Sequence, residues 1–210
     1  MHSFQPASDR VFTILSAGNL ATTQQVLFHV QRDLDDPGST RNLRTVSYLF
    51  EAAEYLGEVS DRVQDLHRKT MSASGVNAET TLILAGQVGT EAPEIFLIYP
   101  QGNFITASDA TPYLQIGETK YGKPVLDRLV HAEQSLTLAA RVALLSLDGT
   151  ARSNLSVAAP FEIGIYDRDS LALPDHFSLD ADSAEVRHAQ SAMNQAIATV
   201  LEQLDSFPHE

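Results

Sequence analysis

The sequence predicts an α+β fold built in layers, helix on sheet on sheet on helix, and three observations carry that reading. Four short strand-like runs, at 80–88, 94–99, 104–108 and 113–116, follow one another across short turns rich in Gly, Pro and Asn. Such spacing marks an antiparallel meander rather than βαβ units. Helical segments bracket the meander in pairs, two before it and two after it, each with its apolar residues on one stripe. At 210 residues and 43% hydrophobic content, the chain is long and apolar enough to bury a sizeable core without staples.

The elements follow in order. Residues 1–6 read as a partly alternating strand, and 6–9 as a turn. Val11 to Leu15 is a compact apolar strand, broken by Ser16, Ala17, Gly18 and Asn19. Leu20, Leu27, Val30 and Leu34 then recur at helical spacing, with Asn19 as N-cap. Asp35-Asp36-Pro37-Gly38 stops that helix. A second helix carries Val46, Leu49, Phe50, Ala53, Leu56, Val63 and Leu66 on its stripe, and Gly75 and Asn77 close the region. After the meander, Gly122 and Pro124 start a helix with Val125, Leu126, Leu129 and Val130. An alanine-rich helix spans 135–147, residues 148–154 form a polar loop, and 161–166 make the last strand. The chain ends in an amphipathic helix whose stripe, Val186, Ala189, Met193, Ala196, Ile197, Val200 and Leu204, is expected to pack across the domain.

Composition narrows the function. There is no cysteine, which excludes disulfides, thiolate catalysis and Cys-ligated metals. With 14 basic against 27 acidic residues the net charge is −13, which argues against nucleic acid or an anionic membrane as partner. No apolar run approaches the roughly 18 residues of a membrane span, and the first residues lack a signal-peptide core. A cytoplasmic protein is expected. The seven histidines, at 2, 29, 67, 131, 176, 188 and 209, form no metal-ligand pair, and neither a P-loop, a GxGxxG nor a GxSxG elbow occurs. No cofactor is therefore expected. His29 reads as a packed or surface residue rather than a base, and His67 as a residue compensating a helix end. Three polar segments at element ends remain as candidate chemistry: 16–19, 117–120 and 148–154. In a sandwich such ends can converge.

Four blocks carry a family resemblance: SAGNLATTQ (16–24), LIYPQGNFI (97–105), QIGETKYGKPVLDR (115–128) and SLDGTARSNLSV (146–157). In order and spacing they resemble the proteasome β-subunit superfamily of N-terminal-nucleophile hydrolases. They are most similar to the bacterial proteasome-type proteases called Anbu, or ancestral β-subunit. The resemblance implies a single domain over 1–210 with the four-layer αββα sandwich. It also implies assembly of identical subunits into a ring or helical oligomer, and peptide-bond hydrolysis on peptides or unfolded protein. In this family an N-terminal threonine attacks the carbonyl while its own amine takes the proton. Gly18 falls at the oxyanion-hole amide, and Ser16, with Asn19 beside it, at the substrate pocket. Asp148 resembles the aspartate near the nucleophile's amine, with Ser153 beside it in a supporting role. Glu118 stands where related subunits often have a serine.

The same resemblance places the nucleophile and two N-terminal strands before Met1. The expectation is a shortened reading of the gene, catalytically incomplete as written; the alternative is a non-catalytic assembly subunit. Reading the coding DNA upstream of Met1 tests this: a stop codon ahead of any threonine-led two-strand segment sinks it.

Overall fold

The structure, a computed structural model, describes residues 1–204 apart from the side chains of residues 69 and 70. The chain divides into two compact units, Met1–Gly117 with Ile165–Asp175, and Glu118–Gly164 with His176–Glu210.

The first unit begins with a hairpin, β1 (His2–Ala7) and β2 (Arg10–Gly18). Two helices follow, α1 (Leu20–Asp35) and α2 (Leu49–Ala73). Three more strands then complete the sheet: β3 (Thr80–Val88), β4 (Glu94–Ile98) and β5 (Phe104–Thr106). All neighbours are antiparallel, in the order β1-β2-β3-β4-β5. Because side chains alternate across a strand, Phe12, Ile14, Leu82, Leu84, Phe96 and Ile98 share one face. That face closes on Val26 and Val30 of α1 and on Ala52, Leu56, Val59 and Val63 of α2 in one core. The α2 backbone comes so near the β4–β5 turn that a Cβ at Gly57 would stand 2.1 Å from the Gly102 carbonyl oxygen. Only glycine permits that approach. The LIYPQGNFI block is thereby a packing feature: it forms the turn that seats α2, and Gln64 Nε2 donates to Pro100 O at 2.9 Å in the same place.

Residues 165–175 are fastened to β3 by the fully buried Gln87. Its Nε2 donates to Glu91 O (2.9 Å) and Asp169 Oδ1 (2.7 Å), and its Oε1 accepts from the Tyr166 hydroxyl (2.6 Å) and Asp169 N (3.0 Å). Every donor and acceptor of the buried amide is used, as burial demands.

The second unit holds α3 (Lys123–Leu129), α4 (Leu136–Ser153), β6 (Phe161–Ile165), β7 (Asp175–Leu179) and α5 (Ala184–Gln203). β6 and β7 form a two-stranded sheet. Leu144, Phe161 and Val186 are its buried core, with Leu147, Ala151, Leu179 and Ala189 packed around them. Ser135 and Ser183 cap α4 and α5 by accepting from Leu138 N and Val186 N.

Several expectations change. Residues 113–116 form no strand, and β5 ends at Thr106. Strand propensity describes a residue's fit to a pleat and does not supply a neighbouring strand. The polar loop at 148–154 is instead the last turns of α4, which runs to Ser153. Its polar residues pair along the helix: Arg152 Nε donates to Asp148 Oδ2 at 3.0 Å, and Thr150 Oγ1 to Ser146 O at 2.8 Å. The strand at 161–165 is not the last, since β7 follows it. The helical stripes are also covered less fully than their periodicity implies. Leu20, Phe50 and Leu66 are exposed, and Val26 takes a core position not singled out. On α5 only Val186 is buried, while Ile197, Val200 and Leu204 are exposed. Periodicity marks the face that is to be covered, and tertiary contacts decide what covers it.

Candidate functional site

In the first unit the candidate segment is the end of β2. Gly18 has φ +115, and a Cβ there would stand 2.4 Å from Glu79 O. Both facts require glycine. Asn19 N donates to Glu79 O at 2.9 Å, and the Thr80 amide, opposite Gly18 in the register, donates to Gln64 Oε1 at 3.1 Å. Gly18 and Thr80 are therefore a non-hydrogen-bonded pair, and the alternation of the ladder turns the Gly18 N–H to the other edge of β2. On that edge β1 pairs with β2 as far as Ile14. Gly18 and Ser16 are both exposed.

Buried hydroxyls hold this strand end. Thr23 Oγ1 bonds Thr80 Oγ1 at 2.8 Å, and Thr22 Oγ1 donates to Ala78 O at 2.8 Å. The second half of the SAGNLATTQ block thus clamps residues 78–80 behind Gly18. The Asn19 amide is engaged at both ends: Oδ1 accepts from Thr22 N (3.1 Å), and Nδ2 donates to Asn77 O (2.9 Å). Its capping role is as expected, and its side chain holds the loop. Gly117, the third residue of the QIGETKYGKPVLDR block, lies beside Ala17; a Cβ there would stand 3.4 Å from the Ala17 Cβ.

In the second unit Asp148 is 4% exposed and clasps α4 to α5. Its Oδ2 accepts from Arg152 Nε at 3.0 Å, and its Oδ1 from Gln190 Nε2 at 2.7 Å. Ser153 is the exposed last residue of α4. The contact that joins the third and fourth sequence blocks is made one residue later. Asn154 Nδ2 donates to Glu118 Oε2 at 2.9 Å, and Asn154 Oδ1 accepts from Ser156 N (2.9 Å) and Ser156 Oγ (2.7 Å). Glu118 Oε1 also accepts from Lys120 N at 2.8 Å. A carboxylate, an amide and a hydroxyl so connected can pass hydrogen-bond polarity, and Ser156 is exposed. Sequence reasoning singled out Asp148 and Ser153, held Asn154 only as the end of the 148–154 segment, and did not weigh its bond to Glu118. The Asn-x-Ser spacing of a side-chain-to-backbone turn was the available signal.

His67 Nε2 bonds Gln25 Oε1 at 2.8 Å, joining α2 to α1. His29 is pushed below its ordinary value by burial, with Arg32 and Arg62 adding to the effect. Among the described residues no group of three or more His, Asp or Glu side chains could hold a metal ion. No described helix is long and apolar enough to cross a membrane.

Solved structures match this chain along almost its whole length. Anbu (ancestral beta-subunit) from Yersinia bercovieri is 38% identical, with a TM-score of 0.88 over 98% of this chain and 85% of that one. The chain belongs to the Anbu, or ancestral β-subunit, family. Anbu from Hyphomicrobium sp. strain MC1 is 36% identical with a TM-score of 0.88, covering 98% of this chain and 85% of its own. An Anbu complex from Pseudomonas aeruginosa, described as a helical assembly, is 36% identical with a TM-score of 0.88 over 96% and 82% of the two chains. The mixed α+β structure with its five-stranded antiparallel sheet is thus that of Anbu proteins. No protein-family model and no curated protein matches.

Proposed function

We propose that this chain is a proteasome-type threonine peptidase subunit that hydrolyses peptide bonds in peptides or unfolded protein, in the cytoplasm and within an assembly of like subunits. The observation that carries the reading is the 38% identity to Anbu over 98% of the chain. The four-layer αββα arrangement of N-terminal-nucleophile hydrolases is part of the same reading, and the assembly follows the helical one of the Pseudomonas aeruginosa relative.

On this reading the hydroxyl of an N-terminal threonine adds to the peptide carbonyl and its α-amine takes the proton. The carbonyl oxygen becomes an oxyanion, the amine product leaves with the proton, and water then hydrolyses the acyl ester. The Gly18 N–H supplies the oxyanion donor. Its exposure and its turn away from β3 support that role, and the hydroxyl contacts of Thr22 with Ala78 O and of Thr23 with Thr80 hold the strand end behind it. One such preorganised donor is worth about 3–4 kcal/mol in the transition state. Ser16, exposed two residues earlier on the same strand, lines the substrate pocket. The resemblance gives the supporting role to Asp148, with Ser153 beside it; in the second unit the Asp148 oxygens accept from Arg152 and Gln190.

The test uses the protein purified from its own cells. Intact mass and N-terminal sequencing are read before and after treatment with a peptide β-lactone, which acylates N-terminal threonines. A threonine first residue and one stoichiometric adduct are expected. A protein that assembles, takes up no β-lactone and cleaves no peptide is instead an assembly subunit without chemistry.

A further inference from the structure

A turn over residues 154–157 follows α4. Val157 N donates to Asn154 O at 3.1 Å and closes it, with Leu155 and Ser156 at its centre. Its first residue is tied at every polar atom of its side chain. Asn154 Nδ2 donates to Glu118 Oε2 (2.9 Å), and Oδ1 accepts from Ser156 N (2.9 Å) and Ser156 Oγ (2.7 Å). Asn154 N donates in turn to Thr150 O at 2.8 Å. On this frame Leu155 is 103% exposed, and the next most exposed large apolar side chain among the described residues, Phe28, reaches 72%. A single exposed leucine is ordinary. This one is held out by a backbone with little freedom left to lose when something covers it. Residues 153–161 contain no Asp, Glu, Lys or Arg.

We propose that Leu155 contacts the first residue on the leaving side of the cleaved peptide bond and selects an apolar side chain there. The inference rests on the reading of the chain as a threonine peptidase with Ser153 near the nucleophile's amine, and it names a substrate preference for that site. Proton transfer decides which half of the substrate lies there. The amine takes the proton of the threonine hydroxyl and gives it to the nitrogen of the breaking C–N bond. That nitrogen and the residue attached to it therefore pass next to the amine. Leu155 is two residues beyond Ser153, a reach of no more than about 7 Å. Exposed Ser153 and Ser156 flank it and carry no charge. Glu118, the carboxylate of the same network, is engaged by Asn154 Nδ2 and Lys120 N. A charged side chain on the substrate would lose water against Leu155 and gain no opposite charge. Leu, Ile, Phe or Met in that place removes apolar surface from water on both partners.

The test uses the protein purified from its own cells and internally quenched peptides that differ only in the residue after the cleaved bond: Leu, Phe, Gly or Asp. Mass spectrometry locates the cut. Wild type is expected to show kcat/KM about tenfold higher for the Leu and Phe peptides than for the Gly and Asp peptides, the scale on which one apolar side chain is discriminated. Leu155→Ser is expected to remove that margin by lowering kcat/KM for the Leu and Phe peptides about tenfold. Leu155→Met is expected to keep it. A peptide β-lactone carries no residue on the leaving side, so its uptake reports on the nucleophile separately. Far-UV circular dichroism and sedimentation check that the variants fold and assemble as wild type does. A wild type that takes up the β-lactone but does not prefer Leu and Phe overturns the proposal alone. So does a Leu155→Ser variant that changes all four peptides equally; if it also fails to assemble, Leu155 is a contact between subunits instead. A wild type that takes up no β-lactone and cleaves no peptide overturns the proposal together with the peptidase reading.

Discussion

Replacing Gly18 by alanine tests whether the β2 end is held as tightly as its geometry implies. The new Cβ would stand 2.4 Å from Glu79 O and 3.1 Å from Thr80 Cα, on a residue at φ +115. A side chain held in such a conformation costs about 1–3 kcal/mol. Relieving an overlap with backbone costs about another 1–3 kcal/mol, because β2 must part from Glu79. A destabilisation of about 3 kcal/mol is the expectation. Gly75→Ala is the reference: its φ is +71 and nothing lies within 4 Å of the added carbon. It bears the conformational cost alone, about 1–2 kcal/mol. With a urea m-value of about 2 kcal/mol/M, the midpoint should fall by about 1.5 M for Gly18→Ala and by about 0.5–1 M for Gly75→Ala. The chain lacks tryptophan, so far-UV circular dichroism is the probe. Equal shifts in the two variants would refute the argument that contact with Glu79, rather than φ alone, demands glycine at 18.

Asn154→Asp would set a second carboxylate about where Nδ2 now donates to Glu118 Oε2 at 2.9 Å. Two such charges raise the folded pKa of the pair, so the pair's contribution is kept at low pH and lost as pH rises through that value. The stability gap to wild type should widen from pH 4 to pH 8, and a gap independent of pH would show that the two side chains do not face each other. Tyr55→Phe removes the hydroxyl that donates to Asp33 Oδ2 at 2.9 Å. Burial pulls Asp33 upward, but hydrogen bonds from Arg32 and Tyr55 prevail and hold it below its ordinary value. The unfolded chain therefore takes up this proton first, and the contribution of Asp33 is present above about pH 4 and lost as pH falls through its folded value. Tyr55→Phe should cost about 1–2 kcal/mol at pH 7 and less at pH 3, measured by urea unfolding at both. An equal cost at both pH values would mean that packing rather than the carboxylate is lost.

What the sequence determined by itself is local. The strand–Gly–helix junction, the Asn19 cap and the span of β3 were legible because backbone conformation and capping depend on residues within a few positions. The four sequence blocks pointed to the Anbu family, which the solved relatives bear out. Only the tertiary structure decided which neighbours those local elements acquire. Asp148 looked like a loop carboxylate until Gln190, 42 residues away, claimed one oxygen and made it a helix clasp. Glu118 and Asn154 became partners across 36 residues, a pairing that no local pattern encodes. The α5 stripe was readable as apolar, and its exposure was not, because a helix records in its own spacing that one face is apolar and nothing about what covers it. Gly18 joins the two levels: the sequence placed a glycine at the end of a strand, and the carbonyl of Glu79 against it is the reason that it must be one.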